Sequence, residues 1–594
     1  MKAFTEPLLS LAGFEEMTKT AEKSSGLISV TGCIDAQKSQ MIYAFGGHRK
    51  NKLIVTFGEQ KAKELYDEYS FFDKEVVYYP SKDVLFYQSD IRGNLLTAER
   101  IRALKAIREQ ERVTLVTTFD ALMNTMAPIE KMWENVLTLE QGQLFDLKEI
   151  QAALIRMGYE KEYQVQTMGQ FSVRGGILDV FPLTEENPIR IELWGDEIDT
   201  IRYFDCESQK SIENIDRVSI YPAAELVLSD EEKAGGIEKL KAEAKRVSDK
   251  LRKQMKTEEA HRVTVMADEL TEEWGELSMY AGMDAFLSYF FDERVGLLDY
   301  FKPSDSLIFF DELTRCAEQG KLTETEFSES MKQRLAMGYI LPGQMNGLFT
   351  EKEIVAKLEK YSCIALGALD NKANGLHQLG SYGIHCQSVS PYNNSFELLI
   401  KDLKRYKKNG YRVILLSGSR TRAKRLSEDI TDQGITCFYT ENYDHELFEG
   451  QIMVCYGKVR RGFEYPILKF AVITESDIFG AQQKKKKRHR TYEGEKIQSF
   501  TDLSVGDYVV HENHGLGIYR GIEKLEVDKK VKDYIKIEYQ GGSNLYILAT
   551  QLDMIQKYAG KDARKPRLNK LGGQEWTRTK NRVRGAVKQI AGDL

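Results

Sequence analysis

Residues 32–39, which read GCIDAQKS, have the spacing of a phosphate-binding loop but lack one of its two glycines. The working pattern is G-x-x-x-x-G-K-[ST], whose glycines let backbone N–H groups close around phosphate oxygens. Gly32, Lys38 and Ser39 are in register, whereas Gln37 replaces the glycine before the lysine. A side chain at that position crowds the space that a phosphate needs and loses access to positive φ. Because an apolar run precedes the loop and a helix-like stretch follows it, the sequence predicts a strand–turn–helix unit with a degenerate nucleotide pocket.

A second degenerate motif lies much later in the chain. Apolar residues 307–310 lead into Asp311 and Glu312, as in the strands that position carboxylates for Mg²⁺ and water in P-loop enzymes. Leu313 and Thr314 follow, without the histidine or serine of a helicase motif. The first motif alone has an alternative interpretation as an ordinary strand–turn–helix, but two degenerate motifs in the right order indicate a decayed motor domain. We therefore expect this chain to hydrolyse no ATP, to bind no cofactor and to hold no metal.

Composition limits the class of protein. At 594 residues the chain is long enough for several domains. Its 84 basic and 90 acidic residues give a net charge of −6, which excludes a generally basic nucleic-acid coat protein but allows local basic patches. The seven cysteines form no CxxC pair, no signal peptide opens the chain, and no run of about 18 apolar residues could span a bilayer. These features predict a cytoplasmic protein with free thiols and no membrane association.

The pattern of strands and helices predicts an α/β protein of several domains. Residues 1–133 alternate buried strands of a parallel sheet with amphipathic helices, and residues 223–345 return to this domain with long charged helices and one more strand. Short alternating strands at 134–222 predict an inserted α+β domain between the two segments. After a connector at 346–384, we expect a further α/β domain at 385–480.

The last part of the chain is more basic and richer in short strands. Residues 481–498 read as a linker that contains the basic run Lys484–Arg490. A solvated tether and a contact with a phosphate backbone are both open interpretations of this run. Residues 499–560 show the short strands, glycine pairs and β-branched alternation typical of a small β-barrel. Residues 561–594 are basic and predict a helix from about residue 574, which would continue into a longer protein.

Several long stretches resemble one protein family. Residues 169–182 (GQFSVRGGILDVFP) and 189–199 (IRIELWGDEID) closely resemble a module shared by the UvrB excision-repair protein and the bacterial transcription-repair coupling factors (Mfd). Residues 505–519 (VGDYVVHENHGLGIY) resemble the CarD-type, Tudor-like domain that interacts with RNA polymerase, and residues 570–576 (KLGGQEW) resemble the lead-in to the coupling factor's relay helix. This combination and order are typical of the N-terminal portion of a coupling factor, whose motor would follow residue 594.

The resemblance implies a UvrA-binding surface on the inserted domain, because in this family that domain mimics the surface by which UvrB binds UvrA. The matching contact candidates are Arg174, Arg190 and Trp194. Period 2 along the second stretch places Arg190 and Trp194 on one face together with Glu192, and exposed Arg and Trp are typical of interface hot spots. In the alternative interpretation, Trp194 packs internally and the arginines pair with Glu192 or Asp196.

The resemblance also implies that the CarD-like domain binds the β subunit of RNA polymerase, by strand-edge pairing and side-chain anchors. The matching positions are Leu525, on a predicted strand at 522–527, and Tyr546, on a predicted strand at 545–548. A leucine in the core of the barrel is the alternative for Leu525.

Taken whole, the resemblance implies an adaptor that binds stalled RNA polymerase and recruits UvrA for nucleotide excision repair. ATP, Mg²⁺ and double-stranded DNA would be engaged mainly by the absent motor, which in the family is an ATP-dependent translocase that displaces the polymerase. Two alternatives stay open: an active UvrB-like helicase subunit that recognises damage, and a CarD-type transcription regulator. The short connection between residues 80–87 and the predicted helix near residue 94 leaves no room for a lesion-probing hairpin, which argues against the first.

Overall fold

The computed structural model describes most of the chain. The described residues are 1–45, 50–82, 94–144, 146–206, 208–276, 283–369, 375–480, 494–496, 503–511, 515–527, 530–540, 543–548, 555–558, 566 and 568–569. The predicted basic run Lys484–Arg490 and the predicted helix from about residue 574 lie outside these residues. Within them, no helix is both long and apolar enough to cross a membrane.

The first two segments alternate helices and strands and then turn to short strands. The helices of the first segment are α1 (Lys2–Leu9), α2 (Phe14–Lys23), α3 (Asp35–Ala44), α4 (Glu59–Tyr69), α5 (Asn94–Glu109), α6 (Phe119–Met123) and α7 (Ile129–Glu134), and its strands are β1 (Gly26–Thr31), β2 (Asn51–Thr56), β3 (Val77–Tyr79) and β4 (Thr114–Thr118). The second segment contains β5 (Leu137–Glu140), α8 (Leu147–Arg156), β6 (Glu160–Lys161), β7 (Gln170–Arg174), β8 (Ile177–Val180), β9 (Ile189–Trp194), β10 (Glu197–Phe204), β11 (Ser211–Ile215) and β12 (Arg217–Ile220).

The remaining segments return to helices and strands and end in strands alone. The third segment contains α9 (Asp230–Lys253), α10 (Thr257–Glu276), α11 (Leu287–Phe290), β13 (Ser306–Asp311), α12 (Leu313–Ala336), α13 (Glu351–Leu358), β14 (Ser362–Leu366) and β15 (Gln378–Gly383). The fourth contains β16 (Gln387–Ser388), α14 (Phe396–Lys408), β17 (Arg412–Ser417), α15 (Arg420–Asp432), β18 (Phe438–Tyr439), β19 (Ile452–Tyr456), β20 (Phe463–Tyr465), β21 (Phe470–Thr474) and α16 (Glu475–Phe479). The last contains β22 (Gly494–Lys496), β23 (Tyr508–His511), β24 (Gly515–Val527), β25 (Lys530–Glu538), β26 (Asn544–Leu548) and β27 (Ile555–Tyr558).

The first domain is built on a parallel sheet with the strand order β15-β1-β14-β13-β2-β4-β3. Its inner strands β4, β13 and β14 are buried along their whole length, as expected for parallel strands that helices cover on both faces. The sequence predicts a connector at 346–384, and the structure differs from that prediction. There β14 lies between β1 and β13, and β15 extends the sheet beyond β1, so this segment completes the first domain.

The inserted domain is a separate sheet with the order β11-β10-β9-β8-β7-β6, in which all pairs except β6–β7 are antiparallel. Helix α8 packs on one face, and the buried residues of β7 to β10 form a core of their own with it. A two-stranded ribbon of β5 and β12 joins the two ends of the insertion. Because the opposite face is left polar, this domain has one core face and one face available to solvent.

The third domain has the strand order β16-β20-β21-β17-β19-β18, with parallel pairing from β21 to β18. Helices α14 and α15 cover one face and share a core with it. The other face packs against the first domain, and one continuous cluster of buried residues contains Met41 and Phe309 of the first domain with Ile414 and Tyr465 of the third. The two domains therefore share a hydrophobic core.

The described strands of the last segment pair in the order β22-β27-β23-β24-β25-β26, all antiparallel. A small core of aliphatic and tyrosine side chains supports this sheet. The pairings show an antiparallel sheet of short and medium-length strands. Among the described residues, no pairing joins β26 to β22 to close the sheet, so the barrel stays a prediction.

Candidate docking surfaces and the degenerate nucleotide loop

The loop after β1 is closed by the chain that follows β14 and β15. Gly32 has a φ of +76°, and its N–H donates to the carbonyl of Ala368 at 3.1 Å. The N–H of Cys33 donates to the carbonyl of Gly367 at 3.0 Å. A Cβ on Gly32 would lie 2.0 Å from the carbonyl oxygen of Ile384, so only glycine fits there. The first two N–H groups of the loop are thus used within the protein.

Lys38 is buried in a network of carboxylates. It forms ion pairs with Asp311, with Asp35 at 3.0 Å and with Glu312 at 3.0 Å. Lys61 adds a second cation 2.9 Å from Asp35 and 4.0 Å from Asp311. Burial alone would lower the pKa of Lys38, but the carboxylates of Asp311, Asp35 and Glu312 outweigh it and hold that pKa above its ordinary value. The lysine charge is therefore compensated inside the protein, where an active loop would offer it to phosphate.

Gln37, at the position of the missing glycine, contacts the third domain. The hydroxyl of Tyr465 lies 3.2 Å from Oε1 of Gln37 and 3.3 Å from Oε1 of Gln40, within reach to donate to either. Ser39, the residue whose hydroxyl would bind Mg²⁺ in a working loop, is 1% exposed. The geometry fits neither a nucleotide nor its metal ion. This role of Gln37 was missed from the sequence, because nothing in the loop itself points to Tyr465.

On the inserted domain, the two arginines predicted as contacts converge on one carboxylate. Arg190 makes a bidentate pair with Asp179, with N–O distances of 2.7 and 2.9 Å, and Arg174 donates to the same group at 2.7 Å. Asp179 is 1% exposed, and the Arg190 guanidinium also stacks 4.3 Å from the ring centre of Phe204. Neither Asp196 nor Glu192 has this role. Asp179 could have been found by pairing β8 with β9, since it lies opposite Arg190 in the sheet register.

Trp194 projects from the end of β9. Ile189 and Ile191 are buried while Arg190 is partly exposed, the alternation that period 2 predicted, and Trp194 is 84% exposed. This excludes the alternative in which the indole packs internally. An open cleft of about 670 Å³ lies beside it, lined mainly by polar groups including Glu197 and Asp216. An exposed indole on the same strand as one immobilised guanidinium group, with a second on the same sheet, has the composition of a protein interface.

The predicted contact residues of the last segment lie on neighbouring parts of one sheet. Tyr546 is half-buried on β26, directly opposite Lys536 of β25, whose ammonium lies 5.7 Å from the ring centre. Lys536 is also paired with Glu523 at 2.6 Å. Leu525 falls on β24 opposite Lys532, and its side chain lies outside the described residues. Strand β26 stands at one end of the described strand order, the position from which strand addition can occur.

Comparison with known proteins matches the two domains that contain these residues. A family model described as the UvrB interaction domain matches residues 137–226, and one described as the CarD-like/TRCF RID domain matches residues 503–559. The transcription-repair-coupling factor of Bacillus subtilis is 32% identical over 544 residues, which cover 91% of this chain and 46% of that protein. The chain is therefore similar to the transcription-repair-coupling factors along 91% of its length. The family resemblance inferred from the sequence is thus confirmed.

Other transcription-repair-coupling factors match at a similar level. Those of Staphylococcus haemolyticus and Staphylococcus aureus strain MRSA252 are 31% and 29% identical, over 96% and 98% of this chain. The chain spans about half the length of the curated relatives it matches. The two domain matches contain all the predicted contact residues, while the loop at 32–39 lies outside both.

Proposed function

We propose that this chain is the docking portion of a transcription-repair-coupling factor, in which one domain recruits UvrA and another binds the β subunit of RNA polymerase. The observation that carries the proposal is the arrangement of Trp194, Arg174 and Arg190 on the polar side of the inserted sheet. Recruiting a repair protein to a stalled polymerase needs two separate protein-binding surfaces. The UvrB interaction and CarD-like/TRCF RID domains supply one each.

The buried Asp179 prepares the arginines for binding. Long guanidinium side chains lose rotamer entropy when a partner immobilises them, which costs about 0.5–1.5 kcal/mol per side chain. Here the ion pairs with Asp179 fix both side chains before a partner arrives. Each guanidinium has five N–H donors in its plane, the contacts with Asp179 use only some of them, and Arg174 is 36% exposed. A UvrA surface with acidic or carbonyl acceptors around an apolar pocket for Trp194 would match this geometry.

Nucleotide chemistry has no part in the proposed function of this chain. The internal use of the Gly32 and Cys33 N–H groups and the compensated charge of Lys38 support this view. ATP and Mg²⁺ would act in the remaining half of a full-length relative, where an ATP-dependent translocase would grip double-stranded DNA and displace the polymerase. The docking portion would then deliver UvrA to the site that the translocase has cleared.

Trp194→Ala tests the UvrA arm by calorimetric titration of UvrA into the full chain. Removing a hot-spot side chain costs about 2 kcal/mol or more, so we expect the Kd to rise about thirtyfold. Tyr163→Ala is the matched control, because Tyr163 is an equally exposed aromatic residue, 84%, on the same domain. The assignment of Trp194 would be contradicted if Trp194→Ala bound UvrA as tightly as the parent chain does. It would also be contradicted if Tyr163→Ala lost as much affinity as Trp194→Ala.

Leu525→Lys and Tyr546→Ala test the polymerase arm. Each substitution should weaken binding to the isolated β subunit, because it removes a side chain at the predicted contact. UvrA titration of the same variants is the specificity control and should be unchanged, since the two surfaces lie in different domains. In an adaptor with two separate surfaces, Trp194→Ala should lose affinity for UvrA alone, and Leu525→Lys and Tyr546→Ala should lose affinity for the β subunit alone. If Leu525→Lys and Tyr546→Ala bound the β subunit as well as the parent chain does, the polymerase arm would have to be placed elsewhere.

A further inference from the structure

The carboxyl edge of the third-domain sheet collects an unusual number of basic side chains. Parallel strands β17, β19 and β21 end together there, as their register shows. The loops and helix start that follow β17 and β19 hold seven lysine and arginine residues in residues 418–425 and 457–461, and all seven are exposed: Arg420, Arg422, Lys424, Arg425, Lys458, Arg460 and Arg461. In open α/β sheets, this edge is where ligands bind.

Helix α15 carries its charges in the order that its own dipole disfavours. A helix N-terminus bears about half a positive charge, so cations in the first turn destabilise the helix. In α15 the first turns are basic and contain no acid, while Glu428, Asp429 and Asp432 lie near the C-terminal end. Helix α9 of the same chain has the favourable order, with three acids in its first turn and three bases in its last. The basic start of α15 therefore does not serve the stability of the helix.

A carboxylate already occupies the centre of this edge and shows that it accepts anions. The N–H of Gly418 donates to Oε2 of Glu475, and the hydroxyl of Ser417 donates to the same oxygen at 2.9 Å. The guanidinium of Arg422 binds the other oxygen of Glu475. Backbone N–H, hydroxyl and guanidinium donors directed at one point form a cradle that suits a phosphate oxygen as well as a carboxylate.

Of the other cations at this edge, two are paired with carboxylates and three have no ion-pair partner among the described residues. Arg420 pairs with Glu441 at 3.4 Å, and Arg460 pairs with Glu64 of the first domain. For Lys424, Arg425 and Lys458, the part of the chain that the structure describes contains no ion-pair partner. Seven exposed cations on a chain with a net charge of −6 form a local concentration of positive charge.

We propose that this edge of the third domain binds the phosphate backbone of duplex DNA, with the cradle of Glu475 at its centre. The proposal goes beyond the docking function, which assigns no partner to the third domain. Single strands are bound by aromatic rings between the cations, and residues 418–425 and 457–461 contain no aromatic residue. A protein interface would need an apolar or aromatic anchor among the cations, and these two segments present none. Long cations alone are what a duplex backbone requires.

The first test is fluorescence anisotropy of a labelled duplex of arbitrary sequence with the full chain, between 50 and 200 mM salt. The triple variant Lys424→Gln, Arg425→Gln and Lys458→Gln should lower the slope of log K against log salt by about three. At 50 mM salt, we expect binding to be weakened about tenfold or more. The matched control replaces three exposed lysines on α9 and α12, namely Lys241→Gln, Lys245→Gln and Lys332→Gln. The control should keep the slope of the parent chain.

Glu475→Gln should strengthen duplex binding, whereas the triple variant should weaken it. Glutamine keeps an oxygen that can accept from Gly418 and Ser417, while the negative charge that competes with phosphate is removed. We expect this variant to bind the duplex severalfold more tightly. Acylation of lysine amines, followed by peptide mass spectrometry, locates the contact: the duplex should protect Lys424 and Lys458 but leave Lys241 as reactive as before.

Three results would overturn the proposal. Equal losses in the basic-edge triple variant and its control would show that DNA binds through general charge or other basic segments. Stronger binding of a single-stranded oligonucleotide, with the same dependence on Lys424 and Lys458, would assign a different nucleic acid. Unchanged duplex binding and protection, combined with lost affinity for UvrA or polymerase, would make this edge a surface for an acidic protein.

Discussion

Replacing Lys38 with methionine should destabilise the first domain although no nucleotide is involved. Lys38 and Asp311 are each 2% exposed, and the substitution leaves Asp311 buried without its nearest cation. Breaking a buried ion pair by removing one partner costs about 3–5 kcal/mol. Lys61, whose ammonium lies 4.0 Å from the second oxygen of Asp311, offsets part of this loss. We therefore expect a cost near the lower end, about 3 kcal/mol.

A chain with several domains does not unfold in two states, so the assay must report on one domain. Hydrogen exchange of peptides from β1, α3 and β13 measures the opening free energy of the elements around Lys38. A loss of about 3 kcal/mol corresponds to roughly hundredfold faster exchange, since each 1.4 kcal/mol is a factor of ten. Peptides of the inserted domain should exchange as before and serve as the internal control.

Two further variants separate charge from packing. Lys38→Met combined with Asp311→Asn removes both charges, and we expect it to recover most of the lost protection. Lys61→Met should cost less than about 1 kcal/mol, because Lys61 is 19% exposed and pairs mainly with exposed Asp35. The reasoning would be refuted if Lys38→Met left the exchange unchanged and instead abolished saturable ATP binding by the parent chain. Lys38 would then be a nucleotide-binding residue.

Three other substitutions follow from the same region. Gly32→Ala should destabilise the first domain and lower the temperature of its thermal transition, because its φ is +76° and its Cβ would lie 2.0 Å from the carbonyl oxygen of Ile384. Burial raises the pKa of Glu68 from 4.5 to about 7, so the folded chain holds a proton that the unfolded chain has released, and stability falls as pH rises between these values. Glu68→Gln should therefore raise the melting temperature at pH 8 and leave it nearly unchanged at pH 4.5. Tyr465→Phe should cost about 1 kcal/mol, the net value of one hydrogen bond, in hydrogen exchange of α3 and β20.

Each of these has a control in the chain. Gly58→Ala should be close to neutral, because a Cβ at Gly58 meets nothing within 4 Å and its φ is extended. Equal melting temperatures for Gly32→Ala and Gly58→Ala would contradict the account of the closed loop. A pH dependence of Glu68→Gln as steep as that of the parent would show that another group causes it. Faster exchange in the inserted domain of Tyr465→Phe would indicate a general effect instead of a loosened domain contact.

The sequence predicted those parts of the fold that local pattern determines. Continuous apolar runs identified β2, β4 and β13, since a strand buried on both faces has no polar alternation. Period 2 assigned the faces of β9 correctly. The placement of β14 and β15 was missed, because β15 is a polar, partly exposed strand and its pairing with β1 joins distant parts of the chain. Such long-range parallel pairing leaves no local signal.

In the candidate sites too, the sequence predicted what local pattern determines and missed what depends on long-range packing. The resemblance implied Arg174, Arg190 and Trp194 as contact residues. The sequence did not reveal Asp179 on the neighbouring strand, which holds both arginines in place. A lone aspartate in a strand has many possible partners until the register is known. Gln37 is a similar case. Its replacement of a glycine showed that a pocket was lost, whereas its contact with Tyr465 requires the packing of two domains.

The residues of the degenerate loop have a structural role in this chain. Nucleotide-driven closure needs two domains that move as separate bodies around a cleft. In this chain the corresponding helix, α3, carries Gln37 against Tyr465 and lies in an apolar core that the first and third domains share. A continuous core of this kind resists hinge motion, because packed interiors do not deform gradually. The geometry that relates the first domain to the third domain is therefore expected to be the same with and without ATP. Communication between the bound partners would then depend on fixed distances within this unit, and any nucleotide-dependent movement would have to arise outside it.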